Sequence, residues 1–254
     1  MIDKNSIILG DCLEAMKDIP DGSVDAVITD LPFGSTRNPW DIVIPFDKLW
    51  EQWNRTAKDN APFILFAQGI FYVDLVQSNR ENFRYDLVWD KVLKSGFLNA
   101  NVMPLRMHEQ IAVFYRKKPT YNPQMEEGQP LHGKGTAIFE KDDFTNNCYG
   151  DFKPASDERK GSTEKYPSSI VRFQKPHPSS SVHPTQKSVE LLQYLIRTYT
   201  NEGDTVLDSC CGSGTTAIAA IREKRNWICI EKSEEYFNIA KKRIENKLKQ
   251  PTLF

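Results

Sequence analysis

Two groups of residues in this chain have types and spacings suited to chemistry. The first lies in "VDAVITDLPFGSTRNPWD", Val24 to Asp41, where a β-branched apolar run stops at Asp30 and Leu31, Pro32, Phe33 and Gly34 follow. It puts a carboxylate, a proline and an aromatic ring at the mouth of what reads as a buried strand. The second is "TVLDSCCGSGTTAIAAI", a strand, a tight glycine turn and the start of a helix. Gly212 and Gly214 allow close backbone approach, and Thr215 and Thr216 open a helix whose free N–H groups favour anionic or polar ligand groups.

A lone G-x-G says little about its ligand. Glu231 narrows it, because it ends the next strand, 23 residues beyond Asp208, where a carboxylate accepts hydrogen bonds from ribose hydroxyls. The nicotinamide pattern G-x-G-x-x-G is broken, since Thr215, Thr216 and Ala217 follow Gly214. That argues against a bound pyrophosphate. A ligand with a ribose and no phosphates fits better, and S-adenosylmethionine is such a ligand.

The elements that must position these groups alternate between strand and helix, the pattern of a mainly parallel sheet covered on both faces. "SIILG" (6–10), "VDAVITD" (24–30), "APFILFA" (61–67), "RYDLVWDK" (84–91) and "HEQIAVFYRK" (108–117) read as strands. "DCLEAMKDI" and 45–59 read as helices, the latter with Leu49, Trp50 and Trp53 on one apolar face, as core or dimer contact. From about Thr120 to Val182 apolar periodicity fades. Here Lys134, Lys153, Arg159, Lys160, Lys165, Arg172 and Lys175 interleave with Tyr121, Phe144, Tyr149, Phe152 and Tyr166. An irregular stretch this long suggests a binding insertion or a connector. Order returns with the helix 188–199, the strand "DTVLD", the glycine turn, the helix "TTAIAAIREK", the strand "NWICIE" and the helix 233–248.

The glycine turn therefore comes after five strands rather than after the first. The 70 residues beyond Pro184 are too few to bury a core of their own, so the pattern points to one circularly permuted sheet. A net charge of −1 among 33 basic and 34 acidic residues gives no global basic signature, and any nucleic-acid contact must come from local clusters. Five cysteines without a C-x-x-C pair or histidines at zinc spacing suggest reduced thiols and no metal site. No apolar run approaches the roughly 20 residues of a membrane helix, and the expectation is an intracellular protein with no membrane partner.

"ILGDCLEAMKDIPDGSVDAVITDLPFG", "HPTQKSVELLQYLI" and "VLDSCCGSGTT", in this order, resemble the β class of amino-group DNA methyltransferases, and "FLNANVMPLRMHEQIAVFYRKKPTYNP" resembles adenine-specific members of phages and prophages. The resemblance covers nearly the whole chain. It implies an α/β fold with a single doubly wound, mostly parallel, permuted sheet of the Rossmann-like methyltransferase type. The catalytic half would span 1–119, a target-recognition insertion 120–182 and the cofactor-binding half 183–254. The implied activity is transfer of a methyl group from S-adenosylmethionine to adenine N6 of a base flipped out of double-stranded DNA, in the cytoplasm of a bacterium or phage-infected host. A homodimer and a cognate restriction endonuclease are left open as further partners.

Carried over by residue, the resemblance gives Asp11 to the amino group of the cofactor's adenine and Glu231 to its ribose. Asp208, Cys210, Gly212, Ser213, Gly214 and Thr215 would wrap the methionine moiety, beside Asp30, and Thr185 and Lys187 would close over its carboxylate. Two departures stand out: Cys210 occupies a position where Phe is usual, and Leu31 one where Pro is usual. The catalytic group would be Asp30, Leu31, Pro32 and Phe33. The adenine amino nitrogen is a poor nucleophile, because its lone pair is delocalised into the ring. The Asp30 carboxylate and the Leu31 carbonyl would each accept one N–H and aim the lone pair, a fixed anion favouring the charge that develops on attack. Pro32 fixes that carbonyl, and Phe33 offers a stacking face worth about 1–3 kcal/mol per base.

Each residue also has a plainer reading. Asp11 could cap the helix that follows it, His183 could be a structural hydrogen-bonding residue, and His108 and Glu109 could anchor a strand. Cys210 and Cys211 could pack under the turn, and the last helix could be a solvated amphipathic surface. Rival functions are cytosine-N4 methylation, where Ser tends to replace Asp30, and an inactive nucleic-acid-binding relative. A glutamine methyltransferase, with Asn leading the tetrapeptide, does not match.

Overall fold

The computed structural model describes residues 2–130, 145–146, 150–151, 161–177, 179, 182–183 and 185–250. The chain divides into two units, one formed by Met1–Asn122 with Ser169–Phe254 and the other by Pro123–Ser168.

The larger unit is built on strands β1 (Ser6–Leu9), β2 (Ala26–Asp30), β3 (Phe63–Ala67), β4 (Phe83–Ser95) and β5 (Arg106–Phe114). Helices α1 (Cys12–Ala15), α2 (Phe46–Thr56) and α3 (Gly69–Ser78) alternate with the first of these. In the smaller unit, β6 (Glu126–Glu127) pairs antiparallel with β9 (Glu164–Lys165), and β7 (Thr145–Asn146) with β8 (Gly150–Asp151). The larger unit resumes with β10 (Ile170–Arg172), α4 (Val189–Tyr199), β11 (Thr205–Asp208), α5 (Thr215–Arg222), β12 (Asn226–Glu231) and α6 (Glu234–Lys249).

Eight of these strands make one sheet in the order β1-β12-β11-β2-β3-β5-β4-β10, in which β5 alone runs against its neighbours. The central strands are buried on both faces, which is why β2 and β3 read as unbroken apolar runs rather than alternating ones. In β2, Ala26 and Ile28 enter one core with Leu191, Leu195, Ile196 and Ala217 of α4 and α5. Val27 enters the other core, with Leu49 and Trp53 of α2 and Leu75 of α3. Trp50 and Trp53 are core residues, the Trp50 Nε1–H donating to Ser78 Oγ at 2.8 Å. Truncation of a fully buried Trp53 to Ala would cost about 3–5 kcal/mol.

Two expectations need correction. The irregular insertion placed at 120–182 is shorter as a compact unit, because Ile170–Arg172 pairs with Val88–Asp90 and joins the edge of the main sheet. The helix α3 was not anticipated. Of the basic and aromatic residues expected in the insertion, Lys134, Phe144, Tyr149, Phe152, Lys153, Arg159 and Lys160 lie outside the described residues, as does Pro184.

Candidate active site

The spatial requirement set by the sequence is that the Asp30 tip and the Gly212 bend share one edge of the sheet. Strands β2 and β11 are parallel neighbours, with Val206 opposite Ala26 and Leu207 opposite Val27, so both leave the sheet at the same edge. After β2 the chain crosses through α2 to β3 on one side, and after β11 through α5 to β12 on the other. Such a switch point opens a crevice beyond the carboxyl ends of the strands, where open α/β sheets bind ligands. The two corners touch: Thr29 Oγ1 donates to Asp208 Oδ1 at 2.8 Å, and Ser209 Oγ to Thr29 Oγ1 at 3.4 Å. A cavity of about 1370 Å³ opens there, lined among others by Asp11, Asp30, Phe33, Lys187, Cys210 and Glu231.

On the glycine side the carboxylates are tied down by hydrogen-bond donors. Asp208 is buried and accepts from Thr29, from the Cys210 N–H at 3.1 Å and from Thr216 Oγ1 at 2.5 Å. Burial nevertheless pushes its pKa up to about 6. Glu231 accepts the Gly212 N–H on Oε2 at 2.8 Å and the Ser233 N–H on Oε1 at 2.7 Å; its pKa too is raised by burial. Arg243 Nη1 donates to both the carbonyl and the hydroxyl of Ser213. Thr215 and Ser213 line the cavity. Gly214 serves the fold instead: with φ +76° it precedes α5, and a Cβ there would come within 3.0 Å of Ala240 on α6. Asp11 caps α1 by accepting the Leu13 N–H at 3.0 Å and pairs with Lys232 at 3.1 Å. Against the burial that would raise it, these partners hold its pKa below the usual range.

On the Asp30 side the pattern is ionic. The buried Lys187 ammonium lies 2.6 Å from Asp30 Oδ2 and at ion-pair distance, 3.1 Å, from Glu109 Oε2. Lys91, also buried, holds the other Glu109 oxygen at 3.1 Å. The Lys187 ammonium sits over the ring of Phe66 at 5.0 Å. Asp30 Oδ1 is buried and finds no hydrogen-bond partner among the described residues. Burial pushes the Asp30 pKa up to about 6, with Lys187 opposing and Glu109 adding to the rise. Glu109 is buried as well, yet its two lysines hold it down at about 2.

The segment after the tetrapeptide is anchored by Asp41, whose carboxylate accepts the N–H groups of Gly34, Ser35 and Thr36 at 2.7–2.9 Å. Leu31 is buried in the α2 core, Pro32 lines the cavity and the Phe33 ring packs on Phe71 with centroids 4.8 Å apart. His183 has the structural place expected of it, between Tyr236 at 4.1 Å and Trp40 at 5.4 Å, its Nδ1 accepting the Thr185 N–H at 3.2 Å. Burial and the Lys187 charge lower its pKa to about 4. Thr185 lines the cavity, as does Cys210, whose thiol is pushed up by the adjoining Cys12 thiol and by burial.

The candidates from the sequence thus gather around one cavity, Gly214 excepted. The sequence reading missed Lys91, the hydrogen bond from Thr216 to Asp208 and the bridging role of Glu109. Their signal was faint: Lys91 and Glu109 stand in strands that also carry Arg84, Asp86, Asp90 and Arg106, so nothing in their spacing singles them out.

Comparison with known proteins agrees with this geometry. Over 63 residues the chain is 49% identical to the type II methyltransferase M2.DpnII of Streptococcus pneumoniae, a match covering 25% of this chain and 24% of that protein. The solved structure of an M1.HpyAVI–SAM complex superposes with a TM-score of 0.64 at 25% identity, covering 96% of this chain and 99% of that one. PvuII DNA methyltransferase, described as cytosine-N4-specific, shares the fold, with a TM-score of 0.66 at 17% identity over 100% of this chain and 89% of that one. Residues 24–242 match the family model for N6/N4 DNA methylases. With that match spanning both the Asp30 turn and the Gly212 bend, the chain belongs to the N6/N4 DNA methylase family.

Proposed function

We propose that this protein methylates adenine at N6 in double-stranded DNA, with S-adenosylmethionine as methyl donor. The observation that carries the reading is the bare Oδ1 of Asp30, a buried acceptor without a partner among the described residues, beside a glycine bend on the same sheet edge. A buried polar atom left unpaired is costly, and an amino N–H of an inserted base would satisfy it.

The residues present fit the donor. A carboxylate oxygen accepts more than one hydrogen bond, so Glu231, with one N–H on each oxygen, keeps acceptor capacity for ribose hydroxyls. Lys187 touches two carboxylates and has three N–H groups, which leaves one for an amino-acid carboxylate together with Thr185. Asp11 would take the adenine amino group, and Asp208, Cys210, Gly212, Ser213 and Thr215, which line the cavity, would shape the bed of the methionine part. The volume exceeds the ~300–1,000 Å³ of a single small-ligand pocket, enough for a base as well. When bound, S-adenosylmethionine supplies a methyl group on a sulfonium, already activated for transfer without a metal.

The chain's own part is positioning and charge. Asp30 and the Leu31 carbonyl accept the two amino N–H groups, Pro32 holds that carbonyl and Phe33 meets the face of the base. As the amino nitrogen becomes cationic, the fixed Asp30 carboxylate stabilises it more than it stabilises the neutral amine. The proton then leaves toward Asp30. The aspartate also favours adenine over cytosine, since cytosine-N4 enzymes of this class tend to carry serine there.

The test is expression in a host without endogenous DNA methylation, followed by sequencing sensitive to modified bases. N6-methyladenine in one sequence context, lost in Asp30→Ala, is expected. N4-methylcytosine instead would overturn the choice of base, and an unmodified genome would overturn the activity.

A further inference from the structure

The turn joining β4 to β5 presents Phe97, Leu98, Val102 and Met103 to solvent, with exposures of 72%, 101%, 80% and 52%. These side chains belong to neither core. Apolar groups concentrated at an exposed tip mark a surface that meets something.

The tip is preformed. The Asn99 and Ala100 N–H groups donate to the Gly96 and Phe97 carbonyls, and the Val102 and Met103 N–H groups both donate to the Asn99 carbonyl, at 2.9–3.1 Å. Below it the ladder between β4 and β5 slips between Asp90 and Ser95. There Val92 holds φ +64°, its N–H donating to Asp90 Oδ1 at 2.8 Å. A β-branched residue in that region is strained, and irregularities of this kind re-aim a hairpin beside an active site. The hairpin leads to the cavity: Gly96, Asn99, Met103 and Arg106 line it, as do Lys91 and Glu109 at the base. Exposed Lys94 and Arg106 flank the tip with positive charge.

A turn of this size is too small for a stable protein interface, which buries about 800 Å² per partner. It suits a duplex whose target base has left the stack, where proteins insert apolar wedges between base steps. Resting on the methyltransferase reading above, we propose that this turn is a DNA wedge. Leu98, with Phe97 beside it, enters the duplex at the target pair and fills the space vacated by the base as it swings into the cavity.

The probe is a short duplex carrying the sequence context found by genome sequencing, in two forms: the target adenine paired with thymine, or facing an abasic position. Extrusion must be driven only in the first. For Leu98→Ala, kcat/KM on the paired duplex should fall by about tenfold to a hundredfold, while the abasic duplex is methylated within about twofold of wild type. Leu98→Met should recover most of the loss, and the unchanged melting temperature of a substitution at a fully exposed site would separate wedge from fold. Equal losses on both duplexes, or no loss on either, would overturn the wedge and leave the methyltransferase reading standing. A wild-type protein that methylates neither duplex would overturn both.

Discussion

Two neighbouring strands of this sheet each end in an aspartate at the cavity, and the two acids are treated in opposite ways. Asp208, closing β11, is surrounded by neutral donors: two threonine hydroxyls and one backbone N–H satisfy both oxygens. Asp30, closing β2, has one oxygen on an ammonium shared with Glu109 and the other bare. Burial lifts both to about 6, so it is their partners that set them apart. Asp208 holds the glycine bend against β2. Asp30 keeps acceptor capacity for a group that arrives later.

Replacing each acid by alanine breaks this comparison most directly. Asp30→Ala removes an anion poised against developing charge, a loss of about 10²–10³-fold in kcat where a single stabilising group is deleted. Binding of S-adenosylmethionine, measured by calorimetry, should survive. Asp208→Ala leaves three donors without their acceptor and should lower stability by about 1–3 kcal/mol, seen as an earlier urea midpoint at unchanged slope. Its activity should follow the folded fraction and cofactor binding rather than the chemical step. If Asp30→Ala proves the less stable variant and Asp208→Ala the less active folded one, the assignment of roles is reversed.

The ionic side should also show itself in pH. Asp30 accepts two kinds of partner only when ionised, and its pKa lies near 6, so kcat/KM, which reports the free enzyme, should fall as pH drops through about 6. The stability linked to the same proton has the opposite sign. The folded carboxyl binds the proton more tightly than an unfolded aspartate near pKa 3.9, so its contribution is fully present below that value and is lost as pH rises through 6. Glu109 contributes to the rise at Asp30; Glu109→Gln removes that charge while keeping an acceptor oxygen for Lys91, and the acid limb should move to lower pH. A limb that stays at 6, or climbs, would detach Glu109 from Asp30.

How much of this was legible depended on how local the signal was. The strand ends at Asp30 and Asp208, the bend at Gly212 and the helix face of Leu191, Leu192 and Leu195 are written within short windows, and each was read. Helix α3, "GIFYVDLVQS", was not, because only Phe71 and Leu75 are buried while Ile70 and Val73 face solvent, leaving no amphipathic stripe to detect. Strand β10 has three residues, too few for a period, and is created by its pairing with β4. The network of Asp30, Lys91, Glu109 and Lys187 draws one residue each from β2, β4 and β5 and one from the segment before α4. Only the order of strands in the sheet brings them together, and the sequence states that order nowhere.

The smallest expected effect sharpens the contrast between the corners from the other direction, by adding rather than removing. The Asp30 corner has an aromatic ring at the cavity, Phe33, whereas the corresponding place on the glycine corner holds Cys210, where the family resemblance implies phenylalanine. Cys210 lines the cavity beside the Cys12 thiol, so Cys210→Phe would direct a ring toward the ligand bed. An aromatic contact is worth about 0.5–1.5 kcal/mol beyond its area, which converts to a roughly twofold to twelvefold fall in the S-adenosylmethionine Kd. Because the change lies on the side that binds rather than the side that transfers, kcat should hold while KM for the donor drops. Displacement of Cys12 by the larger side chain would appear as lost thermal stability, and a Kd that rises without such a loss would mean that the cofactor does not lie against residue 210.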